Sequence, residues 1–241
     1  NNVGFNPAMA AINELYLEGK VAVVQGIGYP EPDRSHFRSM DIWHTAEPRE
    51  SSEEGWLGRV IRELDPQKQN VITGVSFGSG LPRAMYLSGT PAISVTELES
   101  YGLLNSLNGE KQRRALNAFT RMYTPEEFQE AALVMRHISQ TGQDSLTAVD
   151  LLKKAPDSYT PKVEYASDPL SQSLKGIAQV HTAGLGTRIF YAQHGGYDVH
   201  GNQQKTQVKL WGEVSRSITD FFNDLSGNGA AEDVVMMIFS E

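Results

Sequence analysis

The sequence contains no cysteine, which excludes disulfide bonds, thiolate metal sites and a cysteine nucleophile. It also lacks any apolar run of about 18 residues, the length at which a helix can cross a bilayer. Its first residues, Asn1 to Gly4, have neither the basic stretch nor the apolar stretch of an export signal. Because the sequence has no cysteine, any bound metal must use histidine, aspartate or glutamate ligands.

Long runs of basic charge are absent as well. The 21 lysines and arginines are outnumbered by 29 aspartates and glutamates, and the formal net charge is −8. Such a balance argues against nucleic acid as a partner, since binding to phosphates requires a basic surface. With 241 residues and 39% apolar side chains, the chain has the size and composition of one globular domain spanning residues 1–241.

Helical and strand-like patterns alternate along the chain. Apolar residues at three- and four-residue spacing, with capping signals, predict helices at 7–18, 124–142, 169–184 and 208–225. In the last of these helices we expect Trp211 and Ile218 to be buried against the sheet. Short unbroken apolar runs predict strands at 21–24, 70–75, 92–95, 188–191 and 233–239. This alternation indicates an α/β fold with a mostly parallel sheet flanked by helices.

The last apolar run, Val234 to Phe239, has the character of a buried central strand. The sequence stops two residues later, at Ser240 and Glu241, where the functional loop of such a strand would begin. We therefore expect the chain to be part of a longer protein, with an α/β domain that is incomplete at both ends.

The loop after the predicted strand 188–191 carries the strongest candidate site. Asp198 and His200 are two residues apart, so in an extended segment both side chains project to one side and could bind one metal ion. Oxygen and nitrogen ligands together suit Zn, Mn or Fe. The alternative is that Asp198 caps the turn at the neighbouring glycines while His200 or Asn202 caps the next helix. His194 in the same loop gives a weaker signal.

A second polar segment follows the predicted strand 21–24. Arg34, Ser35 and His36 are consecutive, which is poor geometry for a serine–histidine pair because neighbouring side chains diverge. The alternative for Ser35 is the N-cap of a helix that buries Phe37. The nearby Gly26-x-Gly28 lacks the remaining residues of a nucleotide-binding loop.

The chain resembles a bacterial, sulfatase-like family of unknown function grouped with the alkaline phosphatase superfamily. The residues that carry the resemblance form collinear segments over almost the whole chain: Asn6-Pro7, Gly19 to Gly26, Arg34 to Trp43, Gly55 to Arg59, Tyr197 to Asn202 and Phe239 to Glu241. The family's earlier glycine-rich acidic turn and its later Asp-His-Gly segment lie outside this sequence.

The resemblance implies an alkaline-phosphatase-like fold and, in many members, export that leads to a periplasmic or extracellular location. It also implies divalent metals at the carboxyl ends of strands, with Asp198, His200 and Glu241 at the positions of metal ligands. In that superfamily the bound metal ions activate a hydroxyl nucleophile. Ser35 does not match that nucleophile position securely.

Two functions are expected from these observations. The first is a metal-dependent hydrolase of phosphate or sulfate esters that uses Zn, Mn, Ca or Mg. Its substrate would be an anionic small molecule or a glycan ester, with Asp198, His200 and Glu241 on the metal. Ser35, His36 and Arg34 form the candidate catalytic set. In this set His36 is a metal ligand or a donor to the oxyanion, and Arg34 or Arg38 pairs with the anion. The second is a non-catalytic exported protein of the same fold that binds a ligand or another protein.

Overall fold

The protein is described from a computed structural model. The structure describes residues 4–98, 100–102, 107, 109–122, 133–155, 157 and 159–240. Within these ranges the α-helices are α1 (Ala10–Leu17), α2 (His36–Thr45), α3 (Trp56–Leu64), α4 (Gly109–Met122), α5 (Leu133–Leu152), α6 (Pro169–Thr182) and α7 (Gln203–Gly227). The strands are β1 (Gly74–Phe77), β2 (Ile93–Val95) and β3 (Ile189–Ala192).

The three strands form one small parallel sheet in the order β2-β1-β3. In the central strand, Val75 lies opposite Ile93 on one side and Phe190 on the other. All four residues of β1 are buried, as a central parallel strand requires when both faces of the sheet are covered. The predicted α/β class and the parallel arrangement are thus confirmed.

Helices cover both faces of the sheet. On one face, Val75 and Phe77 pack with Ile177 of α6 and Phe221 of α7 in the larger hydrophobic core. On the other face, α3 and the 3₁₀ turn Arg83–Met85 form a smaller core with Tyr191 of β3. The carboxyl end of β3 therefore lies between two helical layers.

Local capping explains where two predicted helices begin. Asn6 Oδ1 accepts the Ala8 N–H at 3.0 Å, at the start of the 3₁₀ turn that leads into α1. Asp168 Oδ1 accepts the Ser171 N–H at 3.0 Å, and Ser171 Oγ donates to Asp168 Oδ2. Each cap satisfies N–H groups that have no partner inside the helix. Both helices are confirmed.

The long helix α7 extends beyond its predicted bounds at both ends. Ile218 is buried, as predicted. Trp211 is only half-buried, so the prediction that it lies fully in the core is wrong. Its ring packs against Tyr197, with ring centroids 5.1 Å apart, at the level of the β3–α7 loop.

Two of the five predicted strands are not formed. Residues 21–24 and 233–239 have no strand structure, and Val24 and Val235 are 71% and 97% exposed. An apolar run becomes a strand only where a neighbouring strand satisfies its backbone groups. The two predictions are therefore wrong for this structure.

The remaining helices differ partly from prediction. The helix predicted at 124–142 continues to Leu152, whereas its predicted start, at 124–132, lies outside the described residues. α3 and α4 were not predicted. α2 begins after Ser35, which is confirmed as its N-cap, but Phe37 is exposed rather than buried.

Candidate functional site

The loop of residues 193–202 joins the carboxyl end of β3 to α7. Ligands bind at this edge in open parallel α/β sheets. Gly196 has a φ of 92°, a backbone conformation that glycine adopts without side-chain strain. The chain turns at this point, and the residues that follow lie at the rim of the sheet.

Asp198 and His200 contact each other in this loop. His200 Nε2 lies 3.1 Å from Asp198 Oδ1, and the two side chains are 89% and 66% exposed. Of the two residues considered as caps of the next helix, Asn202 rather than His200 occupies the N-cap position of α7, and it makes no side-chain cap hydrogen bond. The i and i+2 spacing does bring the carboxylate and the imidazole to one side of the loop.

The distance between these two atoms is that of a hydrogen-bonded ion pair at the protein surface. Among the residues that the structure describes, no three His, Asp or Glu side chains form a group that could hold a metal.

His194 lies at the centre of a second polar group in the same loop. Its Nδ1 is 2.7 Å from the Tyr197 hydroxyl, and its Nε2 is 3.3 Å from Glu213 Oε2 on α7. Because the Glu213 carboxylate can only accept, Nε2 carries a hydrogen and Nδ1 of the neutral ring accepts from Tyr197. His194 and Glu213 are 14% and 18% exposed, so water competes little for these bonds.

Tyr197 is bonded to α7 directly through its backbone carbonyl and indirectly through its hydroxyl and His194. Its backbone carbonyl accepts the side-chain amide of Gln207 at 3.0 Å, while its hydroxyl donates to His194. Burial raises the pKa of Tyr197 to about 12, and the nearby Glu213 carboxylate adds to this. The hydroxyl thus stays protonated, and able to donate, throughout the neutral range.

A third polar group lies on the opposite face of β3. His44 Nε2 is 3.2 Å from the Tyr191 hydroxyl, and Asp41, one turn earlier in α2, pairs with Arg83 at 2.5 Å. Burial lowers the pKa of His44; Asp41 opposes this shift and Arg83 adds to it. The imidazole of His44 is therefore held in its neutral form.

The predicted catalytic residues lie at the start of α2. Ser35 Oγ accepts the Arg38 N–H at 3.4 Å, and the Ser35 N–H donates to Asp33 Oδ1 at 2.7 Å. Arg34, Ser35 and His36 are all exposed. The third predicted metal ligand, Glu241, lies outside the described residues. The assignment of these residues to a site stays a prediction.

Sequence reasoning missed Tyr197, Glu213, His44 and Tyr191 as members of polar groups. Tyr197 precedes Asp198, and a tyrosine three residues after a histidine in a glycine-containing turn is the signal that was available. Glu213 lies within an amphipathic helix, where a single carboxylate has no distinctive sequence pattern. His44 and Tyr191 are 147 residues apart, so only the fold brings them together.

The fold and the loop define a class: an α/β protein with a parallel sheet between helices and a polar loop at its carboxyl edge. A family model described as "Protein of unknown function (DUF1501)" matches residues 7–241, and the chain belongs to this family. No curated protein matches the chain. No solved structure matches it either. In the described ranges, no helix is long and apolar enough to cross a membrane.

The expected membership of a sulfatase-like family in the alkaline phosphatase superfamily is wrong. The matching model is that of DUF1501, and neither a sulfatase nor an alkaline phosphatase family was detected. Short segments such as Arg-Ser-His-Phe or Asp-x-His are not specific enough to assign a superfamily, because similar polar loops follow strands in many α/β proteins.

Proposed function

We propose that the protein is a metal-dependent hydrolase of phosphate or sulfate esters, with its site in the β3–α7 loop. The observation that carries the proposal is the Asp198–His200 pair, whose ligand atoms are 3.1 Å apart at the rim of the sheet. A divalent ion bound there supplies a Lewis acid for the ester oxygens and lowers the pKa of a bound water. Mn, Mg, Ca and Zn are the candidate metals.

The chain's own residues would complete this site around an anionic substrate. Asp198 and His200 hold the ion, and Glu241 is proposed as a third ligand. Arg34, Ser35 and His36 form the proposed catalytic set: Arg34 pairs with the ester anion, Ser35 is the candidate nucleophile and His36 a donor to the developing charge. These three residues are all exposed at the N-terminus of α2, where the helix dipole favours an anion. Their position supports the proposal.

A second function is supported by the small number of candidate metal ligands. Among the described residues no third His, Asp or Glu joins the Asp198–His200 pair, and the pair is mostly exposed. A non-catalytic exported protein that binds a ligand or another protein has the same appearance. Under either function we propose a periplasmic or extracellular location, which cell fractionation of the native host tests.

Metal binding and turnover together test the first function. The chain is stripped with a chelator and titrated with Mn²⁺, Mg²⁺, Ca²⁺ and Zn²⁺, and an aryl phosphate and an aryl sulfate are then supplied. We expect one metal to bind and to restore turnover, and Asp198→Asn or His200→Ala to abolish both while the unfolding temperature is kept. Both residues are exposed, so their loss should leave the core intact.

Matched controls come from exposed residues of the same types. Asp233→Asn and His137→Ala change an exposed aspartate after α7 and an exposed histidine on α5. They should leave metal binding and turnover unchanged. If no metal binds and neither ester is hydrolysed, the hydrolase is rejected and the binding protein takes its place.

A further inference from the structure

Helix α4 differs in charge from the molecule as a whole. Its 14 residues include four basic residues and one acidic residue, a net charge of +3, whereas the whole chain has a net charge of −8. The basic residues are Lys111, Arg113, Arg114 and Arg121, and all four are exposed. Glu110 pairs with Arg114 at 2.6 Å, and within the described ranges the other three pair with no carboxylate. α4 is therefore a positive patch on an acidic protein.

The apolar side of α4 is only partly covered. Leu116 and Phe119 are half-buried, and Phe119 lines a shallow groove together with Ile138 of α5. Of the α4 residues whose burial the structure describes, none is fully buried. Met122 at the end of α4, and Val134 and Ile138 in the first half of α5, are 62%, 66% and 44% exposed. Large apolar side chains thus remain in contact with solvent beside the basic ones.

The second half of α5 fixes this pair of helices to the rest of the molecule. Ala148 and Leu152 are completely buried in the larger hydrophobic core, on one face of the sheet. We call α4 together with residues 133–145 of α5 the α4–α5 arm. In contrast to the second half of α5, the arm leaves most of its described side chains exposed or half-buried.

The order of residues in α4 separates the two kinds of side chain. Successive residues of a helix are rotated by about 100°, so Leu116, Phe119 and Met122 form one apolar stripe. Arg114 and Arg121 lie on the opposite side of the helix, and Lys111 and Arg113 lie at the two borders of the stripe. α4 is thus an amphipathic helix whose polar face is basic.

We propose that the α4–α5 arm binds the surface of an anionic lipid membrane. Met122 and Val134 enter the headgroup layer, and the basic side chains of α4 lie against the lipid phosphates. Amphipathic helices with a basic polar face lie in the plane of the interface in this way and do not span the bilayer. The long side chains of Lys111 and Arg113 can place their charges among the headgroups while their stems cover apolar surface. The inference goes beyond the proposed function and does not involve the β3–α7 loop.

The charge of the arm favours a lipid surface over a second copy of the chain. Two arms packed face to face would bring two basic helices together, whereas an anionic membrane supplies both an apolar layer and neutralising negative charge. The acidic remainder of the chain opposes the contact only weakly. Charges are screened over about 8 Å at physiological salt, and α5, with its 20 residues, is about 30 Å long.

Co-sedimentation of the protein with lipid vesicles tests the charge part of the proposal. We expect binding to vesicles of equal parts phosphatidylglycerol and phosphatidylcholine, and none to phosphatidylcholine alone. Binding should be lost when NaCl is raised from about 0.1 M to about 1 M, because the screening length falls from about 10 Å to about 3 Å.

Variants with fewer basic residues place this charge on α4. Lys111→Gln combined with Arg113→Gln should weaken binding about 10-fold or more, since each basic side chain near an anionic surface contributes about 5-fold. The matched control is Arg62→Gln combined with Lys68→Gln. This pair removes the same charge at exposed positions on and after α3, which packs on the opposite face of the sheet, and should leave binding unchanged.

The apolar part of the contact is tested by Met122→Ser combined with Val134→Ser. This variant should bind the mixed vesicles more weakly at every salt concentration, because it loses the side chains that enter the headgroup layer. Val235→Ser combined with Met237→Ser is the matched control, which removes two exposed apolar side chains elsewhere and should bind as the unmodified protein does. All four residues are exposed, so the unfolding temperature should be kept in both variants.

Four results would overturn the proposal. The first is no binding to the mixed vesicles at low salt, and the second is equal weakening by the α4 variants and their controls. The third is binding that soluble polyglutamate abolishes and that Met122→Ser with Val134→Ser retains, which would indicate an acidic polypeptide as the partner. The fourth is dimerisation in sedimentation equilibrium that the same apolar variant abolishes, without vesicle binding, which would indicate that a second copy covers the arm.

Discussion

The hydroxyl of Tyr159 donates to the carboxylate of Asp224 at 2.5 Å, and Asp224 is completely buried. The same carboxylate accepts the Tyr165 hydroxyl at 2.9 Å and the Lys162 N–H at 2.7 Å, while Asn228 Nδ2 donates to it at 3.1 Å. One buried side chain of α7 thus holds the segment that precedes α6. The pKa of Tyr159 is raised by burial and further by the Asp224 carboxylate, so the hydroxyl remains a donor.

Replacing Asp224 should destabilise the fold strongly. Asp224→Ala removes the acceptor of the buried Tyr159 hydroxyl, the half-buried Tyr165 hydroxyl and the Lys162 N–H, and we expect a loss of about 2 to 3 kcal/mol in the free energy of unfolding. Urea denaturation measures it. Asp220→Ala, one turn earlier on α7, is the control: burial raises the pKa of Asp220, so its charge is not favoured there and its loss should cost little. Equal losses for both variants would contradict this account.

The close approach of α6 to the sheet depends on Gly176. A Cβ at this position would lie 2.3 Å from Cε1 of Phe77, a buried residue of the central strand. Gly176→Ala should therefore cost about 1 to 3 kcal/mol through overpacking, despite the better helix propensity of alanine. Thermal unfolding of the variant measures the change.

Gly212 on α7 supplies the comparison for Gly176. The nearest atom to a Cβ at Gly212 is the Ala8 carbonyl oxygen at 3.9 Å, so alanine fits there. Gly212→Ala should stabilise the helix by up to about 1 kcal/mol. Both substitutions gain the same helix propensity, so a stabilised Gly176→Ala would mean that α6 can move away from Phe77 without cost.

The sheet shows what an apolar pattern can and cannot predict. The runs that became β1, β2 and β3 and the runs at 21–24 and 234–239 look alike in sequence, yet only the first three are paired. Apolar content indicates that a segment can be buried on both faces. Whether a neighbouring strand is present at its edge is a property of the tertiary fold, and Val235 lies outside any strand and is exposed.

In the candidate site, too, some contacts could be predicted from the sequence and others depend on the tertiary fold. The Asp198–His200 contact follows from local geometry, since residues two apart in an extended loop face one side. The bond between His194 and Glu213 joins a loop to a helix 19 residues further along, and it depends on how α7 is rotated against the sheet. Spacing in the sequence carries no information about that rotation.

The last prediction concerns how His44 makes the stability of the fold depend on pH. Burial depresses the pKa of His44 in the folded protein below its ordinary value of about 6.5. Above that value the imidazole is neutral in both the folded and the unfolded chain, so it adds no pH dependence. As the pH falls below it, the unfolded chain takes up the proton first, and stability is lost until the pH passes the depressed folded pKa.

His44→Gln should remove this part of the acid sensitivity, because an amide near the position of Nε2 can still bond the Tyr191 hydroxyl but does not titrate. We expect the unmodified protein to lose stability relative to His44→Gln as the pH falls from about 7 to 5, with a slope of at most about 1.4 kcal/mol per pH unit for one proton. Urea denaturation at each pH gives the difference. His137→Gln, at an exposed histidine of α5, is the control for the change of residue type. If the His44→Gln curve also runs parallel to that of the unmodified protein, His44 protonates as easily in the folded chain as in the unfolded one, and its burial does not hold it neutral.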